Sequence, residues 1–71
     1  MLVTIARYNY AHEVAVLEAE FIAAEIPYYL KNLNTALAQP FYSFAMGGIE
    51  LQVNESDVEI SMEIVKRYPP K

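Results

Sequence analysis

Residues 47–57 of this 71-residue chain are GGIELQVNESD, and this stretch decides the fold. Ile49, Leu51 and Val53 alternate with polar residues, which is the pattern of a β-strand that buries one face. Asn54 then offers a helix N-cap, and the acidic residues after it suit the positive end of a helix dipole. We therefore predict a strand that leads directly into a helix.

The chain before this stretch predicts a strand, a helix and a second strand. Residues 2–8 alternate and are rich in β-branched side chains, as in a strand. Asn9 offers a cap for a helix over residues 10–25, which must end near Pro27 because the residue before a proline avoids the α conformation. Residues 28–32 predict a short second strand.

The predicted order β-α-β-β-α is an α+β fold. A right-handed crossover sets the first and third strands side by side, and the second strand pairs antiparallel with the third, so both helices cover one face of a three-stranded sheet. This is the ferredoxin-like split βαβ arrangement without its last strand, in one domain of residues 1–71 whose last helix ends near Arg67. The missing strand leaves the first strand at an open edge. Strict alternation places Leu2, Thr4, Ala6 and Tyr8 on one face of that strand and Val3, Ile5 and Arg7 on the other.

Composition argues against several classes of function. The chain has no cysteine and one histidine, His12, so we expect no disulfide, no metal site and no cofactor. Five basic against nine acidic residues give a net charge of -4, which argues against nucleic-acid binding because that requires a basic face. No apolar run approaches the roughly 18 residues that span a bilayer. We therefore expect a cytoplasmic protein without membrane contact.

The sequence offers no catalytic constellation. Its serines lie in no context that would activate a nucleophile, and it has a single imidazole. The acidic residues of the first helix could act as general acid and base, but their helical spacing favours solvated ridges. We expect no enzymatic activity.

The connection over residues 33–48 is long for a compact domain, and such connections are usually functional or disordered. This one is uncharged and aromatic, which argues against disorder. Its amide groups suit an uncharged small ligand or a peptide backbone. The predicted ligand- or partner-binding residues are Asn32, Asn34, Gln39, Phe41, Tyr42, Phe44, Gly47 and Gly48. The alternative is that the aromatic side chains fold back as a lid over the open sheet face.

Gly47 and Gly48 admit two interpretations. A glycine-rich phosphate cradle needs a following helix N-terminus, whereas a strand follows here. A positive φ at the return into the strand is the favoured explanation.

The first helix carries two apolar patches on a helical wheel, separated by acidic ridges. The first patch holds Val14, Leu17, Phe21 and Ala24, and the second holds Ala15, Ala19, Ile22, Ala23 and Ile26. A surface helix of a monomer usually has one apolar stripe, so the second patch suggests a partner, although alanine is also simply the best helix former. For so small a chain we predict a homodimer, whose interface includes Val3, Ile5, Ile22 and Tyr29.

With these motifs in place, the chain resembles a family of small bacterial domains of unknown function, described as candidate prokaryotic signal-transducing proteins of PII-like, ferredoxin-like fold. The resemblance covers about residues 5–65 and rests on Glu13-Val14, on Phe21 ahead of Glu25-Ile26-Pro27, on Tyr28-Tyr29-Leu30-Lys31-Asn32, and on the stretch from Gly47 to Asp57. It implies a regulatory binding role, with residues 33–48 as the contact segment. The basic residues of a nucleotide sensor are missing from that segment, so nucleotide binding is not expected. Glu25 stands where such family members typically have glycine, which implies a helix end without its usual left-handed residue.

We therefore expect a small, non-enzymatic, cytoplasmic binding or regulatory module that dimerises and meets a partner protein or an uncharged small ligand through residues 33–48. The alternative is a purely structural homodimerisation domain, in which the same segment is a lid or a dimer clasp.

Overall fold

The computed structural model of this chain describes residues 1–33 and 48–70 and contains the predicted order of strands and helices. Its elements are β1 (Leu2–Tyr8), α1 (Ala11–Ala23), β2 (Tyr29–Lys31), β3 (Ile49–Asn54) and α2 (Val58–Arg67), with a 3₁₀ turn at Glu55–Asp57 before α2. The sheet has three strands in the order β1-β3-β2, and both pairings are antiparallel. The predicted α+β fold, with a split βαβ sheet and two helices, is confirmed.

β3 forms the centre of the sheet and buries one face, as its alternation predicts for that face. Ile49, Leu51 and Val53 are fully buried, whereas Glu50 and Gln52 lie on the opposite face and are only partly covered. The buried residues contact the side chains of both helices in one hydrophobic core. The described core comprises Tyr8, Val14, Leu17, Phe21, Ile26, Ile49, Leu51, Val53, Ile64 and Val65.

A β-bulge in β1 overturns the predicted faces of that strand. The pairing with β3 shifts register between Thr4 and Ala6, so Ile5 is the additional residue. Paired residues share a face, and the pairs beside the helices are Val3 with Val53, Ala6 with Leu51 and Tyr8 with Ile49. Leu2, Thr4 and Arg7 therefore lie on the other face. The prediction from strict alternation was wrong because the additional residue moves each later side chain of β1 to the opposite face of the sheet.

The N-terminus of α1 differs from the predicted one. The N-cap is Tyr10, and no side chain in the described part of the chain caps the helix through a hydrogen bond. The backbone N–H of Asn9 instead donates to Glu13 Oε2 at 3.3 Å, so the carboxylate of the first turn satisfies a backbone donor ahead of the helix. The prediction of Asn9 as the N-cap is therefore wrong: the N-cap is the next residue, and a glutamate side chain rather than an asparagine side chain bonds the backbone there.

The C-terminus of α1 is a Schellman motif built on Glu25, which adopts a left-handed conformation with φ of 58°. The N–H of Ile26 donates to the carbonyl oxygen of Phe21 at 3.0 Å, and the N–H of Glu25 donates to that of Ile22 at 3.1 Å. The expectation that this helix end lacks a left-handed residue is wrong, because glutamate occupies the position itself.

Only one of the two apolar patches of α1 is buried among the described residues. Val14, Leu17 and Phe21 of the first patch face the core. Ala24 of that patch is exposed, and Ile26 of the second patch is buried because the left-handed turn redirects the chain before it. The rest of the second patch stays exposed: Ala15, Ala19, Ile22 and Ala23.

α2 begins later than predicted, because the 3₁₀ turn at Glu55–Asp57 separates it from β3. The N–H of Glu55 donates to the carbonyl oxygen of Met1 at 3.0 Å, which ties this turn to the start of β1. The helix buries Ser61, Ile64 and Val65 against the core and ends at Arg67, as predicted.

Candidate functional site

The base of the segment 33–48 is fixed by two residues in left-handed conformations. Asn32 at the end of β2 has φ of 71°, and Gly48 before β3 has φ of 84°. The Asn32 side chain joins them, since its Nδ2 donates to the carbonyl oxygen of Gly48 at 3.4 Å. The two strands flanking the segment are thus tied together where it leaves the sheet.

Gly48 also makes a close backbone approach that only glycine allows. A Cβ atom at this position would lie 2.5 Å from the carbonyl oxygen of Tyr8, the paired strand's last residue. The positive-φ interpretation of Gly48 is therefore confirmed, and its role is to bring β3 against the end of β1.

Six of the predicted binding residues fall outside the described part of the chain: Asn34, Gln39, Phe41, Tyr42, Phe44 and Gly47. Asn32 and Gly48 are the two that the structure places, and both serve the base of the segment. The two interpretations of the aromatic residues, as a contact surface or as a lid, stay predictions.

The sheet face away from the helices carries a charged network centred on Glu50. Its Oε1 lies 3.5 Å from Arg7 Nη2 of β1, and its Oε2 lies 3.8 Å from Lys31 Nζ of β2. Thr4 Oγ1 donates to Glu50 Oε1 at 3.2 Å and accepts from Gln52 Nε2 at 3.1 Å. The Glu50 side chain is only 15% exposed. All three strands thus contribute to one polar face, which the bulge makes possible by placing Thr4 and Arg7 on the same side.

The four predicted interface residues do not form one surface. Ile22 lies on the outer side of α1 and is 66% exposed, whereas Tyr29 pairs with Gln52 on the polar sheet face and is 51% exposed. Val3 pairs with Val53 on the helix-covered side, and Ile5 at the bulge packs against the core. One flat interface therefore cannot contact all four side chains at once.

A groove of about 410 Å³ lies between the end of β1, the first turns of α1 and the C-terminal segment. Its walls are Tyr8, His12, Glu13, Val16 and residues 68–70, and we call it the Tyr8 groove. The groove was not predictable from the sequence, because its walls come from residues about sixty positions apart that form no motif. The one available signal was the pair Pro69-Pro70, which predicts a helix stop and a stiff segment after it.

Hydrogen bonds hold the walls of the Tyr8 groove in place. The Tyr8 hydroxyl donates to the carbonyl oxygen of Tyr68 at 2.9 Å, and the Tyr68 hydroxyl donates to Glu20 Oε1 at 3.2 Å. Burial raises the pKa of Tyr8, and the nearby negative charge of Glu13 raises it further. The tyrosine hydroxyl therefore stays a neutral donor over the ordinary pH range.

Among residues 1–33 and 48–70, no group of three or more histidine, aspartate and glutamate side chains could hold a metal ion. The same residues include no helix of the length and apolarity that crossing a membrane requires.

A scan against models of protein families, a search of curated proteins and a search of solved structures each gave no match. The family resemblance drawn from the motifs therefore stays a prediction.

Proposed function

We propose that this chain is a small, non-enzymatic regulatory binding module that meets a partner protein or an uncharged small ligand through residues 33–48. The observation that carries the proposal is the fixed base of this segment. Asn32 and Gly48 hold its two ends together beside the last residue of β1. A contact segment on a rigid base loses less conformational freedom when it binds.

The rest of the domain supports a role of residues 33–48 in contact rather than in the core. The described core draws side chains from β1, β3, α1 and α2, and it buries the helices against one sheet face. The other sheet face is polar, with the Glu50 charge compensated from both sides. A lid of aromatic side chains over this face would remove its charged groups from water at a cost in free energy, which favours the contact interpretation of Phe41, Tyr42 and Phe44.

The contact interpretation is tested by binding. The triple variant Phe41→Ser, Tyr42→Ser, Phe44→Ser and the wild-type chain are immobilised separately, and the components retained from a cell extract of the source organism are compared by mass spectrometry. The matched control is Ile60→Ser, which also replaces an exposed apolar side chain, 54% accessible, but lies on α2. We expect a component that binds the wild type and the control but not the triple variant. A wild-type chain that retains nothing beyond what the triple variant retains contradicts the proposal.

The second candidate function is homodimerisation, favoured by the apolar side chains on the outer side of α1. Ile22 is 66% exposed, and the exposed Ala15 and Ala19 lie on the same side of the helix, so these residues form one small apolar surface. If α1 is the interface, Ile22→Glu converts a dimer to a monomer in sedimentation velocity at high micromolar concentration. A wild-type chain that sediments as a monomer at that concentration refutes the dimer.

A further inference from the structure

The Tyr8 groove is large enough for a small organic molecule. Its volume of about 410 Å³ lies within the range of small-molecule sites. Tyr8, Val16 and the two prolines supply apolar walls, and His12 and Glu13 supply polar groups on one side. None of these residues belongs to the segment 33–48, so the groove is a second site, independent of the function proposed above.

The walls are fixed before any ligand arrives. Tyr68 is held at three points: its N–H donates to Val65 O at 3.0 Å, its carbonyl oxygen accepts from Tyr8, and its hydroxyl donates to Glu20. The Arg67 guanidinium also lies 4.0 Å from Glu20 Oε2. The C-terminal wall is therefore anchored to β1 and α1 together, and a fixed site costs less conformational entropy to fill.

The electrostatic character of the groove is set by Glu13. Its Oε2 accepts from the backbone N–H of Asn9, but its Oε1 is buried and accepts no hydrogen bond from the described residues. Glu13 as a whole is half-buried and lines the groove, and its carboxylate keeps unused acceptor capacity, so a charged donor in the groove is the strongest partner that it can gain. Burial raises the pKa of Tyr8, another wall residue, and the charge of Glu13 raises it further.

We propose that the Tyr8 groove binds a small organic cation, a primary ammonium group on an apolar body. The ammonium group donates to the Glu13 carboxylate, while the apolar body lies between the aromatic and proline walls. The net charge of -4 favours cationic over anionic ligands. A carboxylate or phosphate ligand would meet Glu13 with a like charge.

The test is a titration of the ¹⁵N-labelled 71-residue chain with phenethylammonium, followed by NMR. The neutral probe is 2-phenylethanol, and the anionic probe is 3-phenylpropionate. We expect saturable shifts at the amides of Tyr8, His12 and Glu13 with the ammonium probe, and at least tenfold weaker binding of the other two. Equal binding of the alcohol, or ammonium shifts confined to other residues, overturns the proposal.

Two variants isolate the contacts that the proposal requires. Glu13→Gln removes the carboxylate charge and should weaken ammonium binding about tenfold. Glu59→Gln is the control, because it makes the same change of charge at an exposed position of α2, and it should leave the affinity within twofold of the wild type. Val16→Phe fills the groove from a half-exposed position, and it keeps the test decisive if Glu13→Gln fails to fold. It should abolish binding of the ammonium probe. Unchanged affinity in Glu13→Gln, or in a folded Val16→Phe chain, overturns the proposal.

Discussion

Replacing Gly48 by alanine should destabilise the domain far more than one added methyl group suggests. The new Cβ would lie 2.5 Å from the carbonyl oxygen of Tyr8, whereas ordinary contact begins at 3.4 Å. The obstructing atom is backbone, so β1 and β3 must separate by roughly 0.9 Å at this end, the difference between those two distances. Tyr8 pairs directly with Ile49, so this separation strains the last pair of the ladder.

The expected loss has two parts. Alanine at φ of 84° costs about 1–2 kcal/mol relative to glycine, and forced separation of packed backbone costs about 1–3 kcal/mol. The reduced freedom of the unfolded alanine chain returns about 0.4–1 kcal/mol. The net loss is about 1–4.6 kcal/mol, centred on about 3 kcal/mol, a large part of the total stability of a domain this small.

Thermal unfolding followed by circular dichroism measures this loss. A loss of about 3 kcal/mol lowers Tm by about 12–24 °C, since about 1 kcal/mol shifts the Tm of such a domain by about 4–8 °C. Asn32→Gly is the control, because it removes the long hydrogen bond to Gly48 but adds no atom at the strand contact, and it should cost less than about 1 kcal/mol. A Gly48→Ala chain that melts within about 3 °C of the wild type refutes the close approach of Gly48 to Tyr8.

Three further predictions concern single residues. Glu25→Gly should raise the free energy of unfolding by about 0.5–1 kcal/mol, because glycine adopts the left-handed position after α1 without strain, whereas Glu25→Ala should not raise it. Equal urea midpoints for the two variants contradict the Schellman assignment. The pKa values of Tyr8 and Tyr28 are both raised, chiefly by burial, so the stability that their neutral forms contribute is complete below about pH 10 and is lost as the pH rises through the folded-state pKa values. The free energy of unfolding in urea should therefore fall above about pH 10, and it should fall less steeply in Tyr8→Phe. An equal slope in Tyr8→Phe and the wild type contradicts the contribution of Tyr8. Glu50→Gln should cost less than about 1 kcal/mol, since Arg7 and Lys31 are largely exposed, and the cost should shrink in high salt; a salt-independent loss argues against the charge network.

The strengths and failures of sequence-based prediction follow from the range of each interaction. The alternation in residues 49–53 predicted β3 and its buried face, since that pattern is local and each buried side chain repeats it. The bulge at Ile5 was not predictable in this way, because strand alternation carries no mark of an extra residue, and the register depends on the partner strand.

Helix ends and the Tyr8 groove show the same limit. Pro27 located the end of α1 to within a few residues, but only the backbone conformation showed that Glu25 takes the left-handed position. The groove depends on the hydrogen bond between Tyr8 and Tyr68, which lie sixty residues apart, and neither residue is distinguished in sequence from the other tyrosines. A site formed by distant segments becomes visible only when the fold brings them together.

The central claim is that residues 33–48 serve contact with a partner and that the domain folds without their aromatic side chains. Its most direct test is equilibrium urea unfolding of a chain in which residues 35–44 are replaced by an equal length of glycine and serine. Equal length leaves the cost of loop closure nearly unchanged, so we expect a free energy of unfolding within about 1 kcal/mol of the wild type. A loss of more than about 3 kcal/mol, the size expected when buried aromatic side chains are removed, would show that the segment is a lid and contradict the claim.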